Sequence, residues 1–200
     1  MGAKFTDADR AIMKKAGAKM SEQLKNPGLK IGDKAPDFSL KDAQGNAVKL
    51  SEQVKKGPVV LVFYRGAWCP YCNLHLKVLN ESLEEFKKYG AELVTITPQQ
   101  PDRSVEQFKA AGYPFKVLSD LNYDVMKSYQ LYFELPPELL TLYKKIDLDI
   151  EAYNGDGRNG LPVPATLIID QQGVIRAQHA ESDYSTRMEP AAIVEALKKL

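Results

Sequence analysis

One stretch, PVVLVFYRGAWCPYCNLHLKVLNESLEEF from Pro58 to Phe86, constrains this 200-residue chain more than any other, and it carries both cysteines. Pro58 to Tyr64 is an unbroken apolar and β-branched run behind the turn signal Lys56-Gly57, the pattern of a strand covered on both faces. Arg65-Gly66-Ala67 follows as a turn. Pro70 stands where a first helical position belongs, and Leu76, Leu79, Leu83 and Phe86 recur on one helical face that runs out at Tyr89-Gly90. The expected unit is strand, turn and helix, with Cys69 at the helix N-terminus.

Stepping back from Leu76 by four and seven residues along that face reaches Cys72 and Cys69, one turn apart. Cys69, at the mouth, is expected to be the more exposed thiol and to lie among amide hydrogens without intrahelical partners, while Cys72 points into the packing. That asymmetry yields an attacker and a resolver. A thiolate at a helix N-terminus is stabilised by those amides, and Cys-x-x-Cys thiols ionise at about 3.5–7.5 against roughly 8.5 for a free cysteine. Zinc would want four ligands; His75 extends the set to three, but no second Cys/His pair accompanies it and His179 is far away in sequence, so no metal is expected. Covalent haem would need His where Asn73 stands. The remaining alternative is a pair of inert core thiols.

Composition narrows the partners. A hydrophobic content of 44% suits one domain with a single core, and a net charge of +1, from 27 basic and 26 acidic residues, leaves no footprint for nucleic acid or an anionic membrane. The N-terminal text MGAKFTDADRAIMKK lacks an apolar core of signal-peptide length, and no run reaches the eighteen or so residues of a membrane span. A cytoplasmic protein is expected, and in a reducing compartment a lone Cys-x-x-Cys reads as catalytic.

Along the chain, Thr6 with Asp9 marks a helix start, and Met13, Ala16, Met20 and Leu24 share one face until Asn26-Pro27-Gly28 stops it. Residues 1–29 form this helical extension, whose apolar face needs cover from residues 30–200 or from a second subunit in a homodimer. A hairpin is expected around Phe38–Leu40 and Ala47–Leu50. Then come a buried strand at Ala91–Thr97, a helix at Ser104–Ala111, a short strand at Lys116–Leu118, a helix at Asn122–Tyr129, a hairpin of Pro164–Asp170 with Val174–Gln178, and a closing helix from Pro190. Strands alternating with helices make an α/β layer fold. Residues 131–160 interrupt the alternation with an aromatic insertion containing its own Pro-led helix, read either as a surface insertion packed on itself or as a lid or dimer contact.

With Trp68-Cys69-Pro70-Tyr71-Cys72 between strand and helix, the chain resembles the thioredoxin superfamily. The blocks KAPDFSLKDAQGNAVKL, VVLVFYRGAWCPYC, VLSDLNYDVMKSYQL and PATLIIDQQGVIR are similar, in order, to the peroxiredoxin-like (alkyl hydroperoxide reductase and thiol-specific antioxidant) family over roughly residues 31–200, in its branch with a thioredoxin-style Cys-x-x-Cys. The resemblance implies a thioredoxin-like fold, a central mixed sheet flanked by helices, and no cofactor. It also implies departures. The family's Pro-x-x-x-Thr-x-x-Cys signature lays its peroxidatic cysteine on Cys72, its threonine on Cys69 and its proline on Arg65, and its second arginine falls on Pro164. Val163-Pro164 resembles instead the cis-proline of thioredoxins, so a cis bond and a substrate-binding role are expected there.

The implied chemistry is reduction of hydroperoxides through a Cys69/Cys72 dithiol–disulfide cycle, reset by a thioredoxin- or glutaredoxin-type donor. Arg65 is the substitute cation for lowering a thiol pKa and contacting the peroxide, with Arg176 and Arg187 as weaker candidates. Tyr64, Trp68 and Tyr71 shape the pocket, and His75 reads as a flanking surface histidine. Peroxiredoxin register makes Cys72 the first attacker; thioredoxin geometry makes it Cys69, the choice taken from sequence. The alternative function is a dithiol–disulfide reductase without significant peroxidase activity, and a redox-inactive binding module built on the aromatic insertion is the third.

Overall fold

The computed structural model describes residues 5–200. Helix α1 (Asp7–Gln23) starts where Thr6 and Asp9 close a capping box: the Thr6 hydroxyl accepts from the Asp9 amide at 3.2 Å, and the Asp9 carboxylate accepts from the Thr6 amide at 3.0 Å. The chain then forms β1 (Ser39–Lys41) and β2 (Ala47–Lys49), an antiparallel hairpin with Leu40 opposite Val48, and the short α2 (Leu50–Gln53). Strand β3 (Val59–Phe63) leads through the cysteine turn into α3 (Pro70–Glu81), then α4 (Leu83–Lys87), β4 (Glu92–Thr97), α5 (Pro101–Ala111), β5 (Lys116–Ser119) and α6 (Asp124–Ser128). The insertion contributes β6 (Tyr132–Glu134), α7 (Pro137–Lys144) and α8 (Glu151–Asn154), after which β7 (Gly160–Pro162), β8 (Ala165–Ile169), β9 (Ile175–Ala180) and α9 (Pro190–Leu197) complete the chain.

The central sheet has the order β5-β4-β3-β8-β9. Its β3, β4 and β5 run parallel, and β8 and β9 are antiparallel to their neighbours. Strand β3 is the middle strand, which is why its sequence shows no polar break: Val59, Leu61 and Phe63 pack on one face with Ile96, Leu118, Tyr129 and Leu167, while Val60 and Val62 face Leu79, Phe86, Ile168 and Ile193 on the other. Alternate residues thus serve two cores, and helices cover both. Gly57 admits the chain into β3 beneath the α4–β4 turn, where a Cβ would overlap the Gly90 carbonyl oxygen.

Three expectations change. The helix after the cysteines is not one rod. Ser82 donates its hydroxyl to the Val78 carbonyl at 2.8 Å and leaves helical geometry, dividing α3 from α4 while Leu79 and Phe86 stay in the same core. Helix α5 starts at Pro101 rather than Ser104, because a proline at the first helical position needs no amide partner. The Val163–Pro164 bond is trans, as are all peptide bonds among the described residues. Pro162 pairs with Tyr132 and the Val163 amide donates to the Leu131 carbonyl at 2.7 Å, while Ala165 already pairs with Phe63, so the backbone runs extended from β7 straight into β8.

The insertion packs on the helical extension. Strands β6 and β7 form a two-stranded antiparallel sheet, and Leu135, Leu139, Leu142, Ile150 and Leu161 build a small core with Ala16 of α1. Asp9, which caps α1, also pairs with Lys145 just beyond α7. The apolar face of α1 is therefore partly covered within the chain: Ala16 is buried, while Met13, Met20 and Leu24 remain half-buried.

Candidate active site

The end of β3 and the start of α3 place the cysteines, and three amide side chains lock the turn between them. Gly66 takes φ 143°, and a Cβ there would lie 2.6 Å from the Trp68 indole nitrogen. Beyond it the Cys69 amide donates to the Gly66 carbonyl at 3.1 Å. Fully buried Gln99, in the β4–α5 loop, accepts from the Ala67 amide at 2.9 Å and donates to Ser104 and Gln107. Asn73 donates to the Ala67 carbonyl at 2.7 Å and accepts from Gln107 at 2.8 Å, and the Tyr64 hydroxyl closes the network on Gln107. None of these amides stands out in the sequence. The one signal is position: Gln99 follows a parallel strand whose C-terminal end adjoins that of β3, where α/β sheets gather their sites. Gln99→Leu strands the Ala67 amide and is expected to lower unfolding free energy by about 1–3 kcal/mol, read as the urea midpoint.

Both thiols are buried, each 1% exposed, so Cys69 is not the open one. It lies in a cluster of Tyr64, Cys72, Leu76, Phe108 and Val117, with half-buried Trp68 packed against it. The sulfurs are 2.8 Å apart, a hydrogen bond rather than a disulfide. Burial pushes the Cys72 thiol up, but the hydrogen bond from Cys69, the Arg187 guanidinium, the Arg65 amide and the Arg65 guanidinium together bring it down to about 6. Cys69, which donates to that sulfur and is itself desolvated, is pushed well up. The pair therefore holds one proton on Cys69 and the negative charge on Cys72, with the helix-end amide too weak to reverse the order.

Two cations surround that charge. Arg187, on the loop between β9 and α9, brings Nη2 to 3.4 Å from the Cys72 sulfur. Arg65 is 4% exposed, with its guanidinium carbon 4.7 Å from the Trp68 ring centre and 4.6 Å from that of Tyr184. Its Nη2 reaches the Tyr143 hydroxyl at 3.4 Å, its buried Nε has no partner, and it makes no ion pair with a carboxylate among the described residues. Arg176 instead pairs with Asp170.

The other residues singled out from sequence divide. Tyr71 is exposed and meets Tyr184 edge-on at 5.7 Å. His75 is buried rather than surface-lying, bonds the Met188 carbonyl at 3.3 Å, and is pushed down to about 4 by burial and by Arg187, so it is neutral at pH 7. Val163 and Pro164 line an apolar cavity together with Arg65, Tyr143 and Tyr184. No cluster of three or more His, Cys, Asp or Glu side chains suited to a metal occurs among the described residues, nor is any of their helices long and apolar enough to cross a membrane.

Residues 31–178 match the model of the AhpC/TSA family, which is most of the chain. The chain belongs to the AhpC/TSA family. Within it, the chain is 32% identical over 147 residues to the thiol-disulfide oxidoreductase ResA of Geobacillus kaustophilus, covering 73% of this chain and 67% of that protein. It is 38% identical over 145 residues to the chloroplastic peroxiredoxin Q of Oryza sativa subsp. japonica, covering 72% of this chain and 56% of that one. The solved structure of peroxidoxin BcpB from Mycobacterium tuberculosis superposes with a TM-score of 0.69 at 21% identity, over 86% of this chain and 98% of the other, a likeness of fold. This AhpC/TSA chain is an oxidoreductase of mixed α/β, thioredoxin-like architecture. Helix α1 precedes the matched residues.

Proposed function

We propose that this protein is a thiol peroxidase in which Cys72 attacks the peroxide and Cys69 resolves. The observation that carries the reading is the Arg187 guanidinium 3.4 Å from the buried Cys72 sulfur, joined by the charge of Arg65, whose buried Nε has no partner among the described residues. A cation that neutralises a thiolate and then bonds the departing oxygen is what peroxide cleavage needs. The Cys72 thiolate attacks the terminal oxygen of ROOH and the O–O bond breaks. Cys72 becomes a sulfenic acid, and the departing alkoxide takes a proton from water to become ROH. The Cys69 thiol then displaces hydroxide from that sulfenic acid, water leaves, and a Cys69–Cys72 disulfide remains. From 2.8 Å the sulfurs need to close by less than about 1 Å to reach the bond length of roughly 2.05 Å. An external dithiol of thioredoxin or glutaredoxin type reduces the disulfide, and we take the cytoplasm as the compartment because such donors work there.

A Pro-led Cys-x-x-Cys at a helix N-terminus and the ResA relative favour a second reading, dithiol–disulfide exchange on proteins or small thiols. Stopped-flow fluorescence of Trp68, the chain's single tryptophan, separates the two. Mixed with hydroperoxide at pH 7, the reduced protein is expected to oxidise more than about 30-fold faster than free cysteine. Ionisation raises the reactive fraction by about that factor, roughly nine-tenths thiolate at a pKa near 6 against about 3% at 8.5, and cation stabilisation of the departing oxygen offsets the lower nucleophilicity of a low-pKa thiolate. Oxidation at the free-cysteine rate, with insulin or glutathione disulfide reduced efficiently, would transfer the protein to the second reading.

A further inference from the structure

Between α1 and α7 lies a cavity of about 410 Å³, lined by Met13, Met20 and Leu24 of α1 and by Phe133, Leu135 and Leu139 of the insertion. That volume falls within the range of small-molecule sites, whereas hydrogen peroxide is scarcely larger than water, whose share of the liquid is about 30 Å³. Its polar wall is Arg65, whose guanidinium acts on both cysteines, with the hydroxyl-bearing rings of Tyr143 and Tyr184. Arg65 is more than nine-tenths buried and keeps an unpartnered Nε. The cavity thus joins an apolar body to a donor whose charge acts on both thiols, although neither cysteine lines the cavity itself. Asp183 also lines it, which disfavours an anionic body.

Gly17 is the odd residue in that wall. Met13, Gly17, Met20 and Leu24 follow one another at helical spacing along a single face, so an apolar side chain belongs at position 17. Glycine inside a helix costs about 1 kcal/mol against alanine, yet among the described residues nothing lies within 4 Å of where a Cβ would stand and the backbone there has no positive φ. What the glycine leaves is room.

We infer that α1 is the specificity element of this enzyme, and that the α1–α7 cavity, kept open at Gly17, holds the uncharged apolar body of an alkyl or aryl hydroperoxide whose reacting end meets Arg65. The inference rests on the peroxidase reading. Because α1 lies outside the segment shared with the family, the selectivity belongs to this chain. Each buried methylene is worth about fourfold, so an aryl or alkyl body should raise the oxidation rate constant well above that for hydrogen peroxide.

The test is Gly17→Leu, which fills the cavity while favouring the helix. Second-order rate constants for oxidation by cumene hydroperoxide and by hydrogen peroxide are measured, together with binding of unreactive cumyl alcohol by Trp68 fluorescence. The ratio of the two rate constants is expected to fall at least tenfold in Gly17→Leu through the organic peroxide alone, with cumyl alcohol binding weakened in step. An unchanged ratio, or both constants falling together, overturns the inference. Should neither peroxide oxidise the wild type, the peroxidase reading fails and binding decides the cavity: cumyl alcohol bound by wild type and lost in Gly17→Leu keeps it as an apolar-ligand site, and no binding removes it.

Discussion

Cys72→Ser is expected to lose peroxide reduction by roughly three orders of magnitude or more, while Cys69→Ser keeps one turnover and loses the next. The two cysteines differ in charge state, not in exposure. Cys72 holds the negative charge near neutrality and Cys69 holds the proton, so removing Cys72 removes the nucleophile outright. Serine at position 69 still donates a hydrogen bond to the Cys72 sulfur, so one equivalent of peroxide converts that sulfur to a sulfenic acid that dimedone traps. Without a thiol at 2.8 Å the disulfide cannot close, and mass spectrometry should find one dimedone adduct per Cys69→Ser chain and none in Cys72→Ser. The reverse pattern would restore Cys69 as attacker.

Arg65→Met should carry the second-largest effect. Oxidation by peroxide in the wild type is expected to rise with pH through about 6 and to level above it, because the thiolate reacts and accumulates as pH passes its pKa. Removing the Arg65 guanidinium takes the weaker of the two cations from a desolvated thiolate while the Cys69 hydrogen bond, Arg187 and the Arg65 amide stay, so the midpoint is expected to move up part of the way toward the ordinary 8.5 and the rate at pH 7 to fall through lost thiolate and lost stabilisation of the departing oxygen. The stability effect has its own sign. A thiol whose folded pKa lies below its unfolded one contributes stability that is full above about 8.5 and is lost as pH falls through about 6. The variant should lose part of that slope, the share that the Arg65 guanidinium supplies. Methionine between Trp68 and Tyr184 also spares the fold a buried guanidinium without a carboxylate partner, so the melting temperature at pH 6 is expected to hold or rise while activity falls.

What could be read from the chain followed its local rules. The unbroken run of β3, Pro70 at the head of α3, and the Thr6-Asp9 capping box each announce an element by spacing alone, and the structure builds all three. What escaped depends on contacts between distant residues. Arg187, ranked from sequence only as a weaker candidate behind Arg65, stands 115 positions from the cysteine it touches, so its contact could not be read locally. The burial of Cys69 comes from Trp68 and from side chains of α5 and β5. Gln99, Gln107 and Asn73 lock the turn through amide hydrogen bonds, and amides carry no periodicity. The trans bond before Pro164 follows from pairing with a strand inside the insertion, an element whose partner the sequence did not disclose.

The clamp on that turn makes the two halves of the cycle unequal. Oxidation asks only that one peroxide oxygen reach a sulfur, and a closed site admits so small a group. Reduction asks that a sulfur be presented in line to the thiolate of an incoming donor, and both sulfurs are 1% exposed. In the proposed cycle the donor is therefore expected to wait for the turn from Gly66 to Trp68 to swing free of Gln99 and Asn73. On the proposed cycle, recovery rather than defence is the expected bottleneck, with three amide side chains setting its pace.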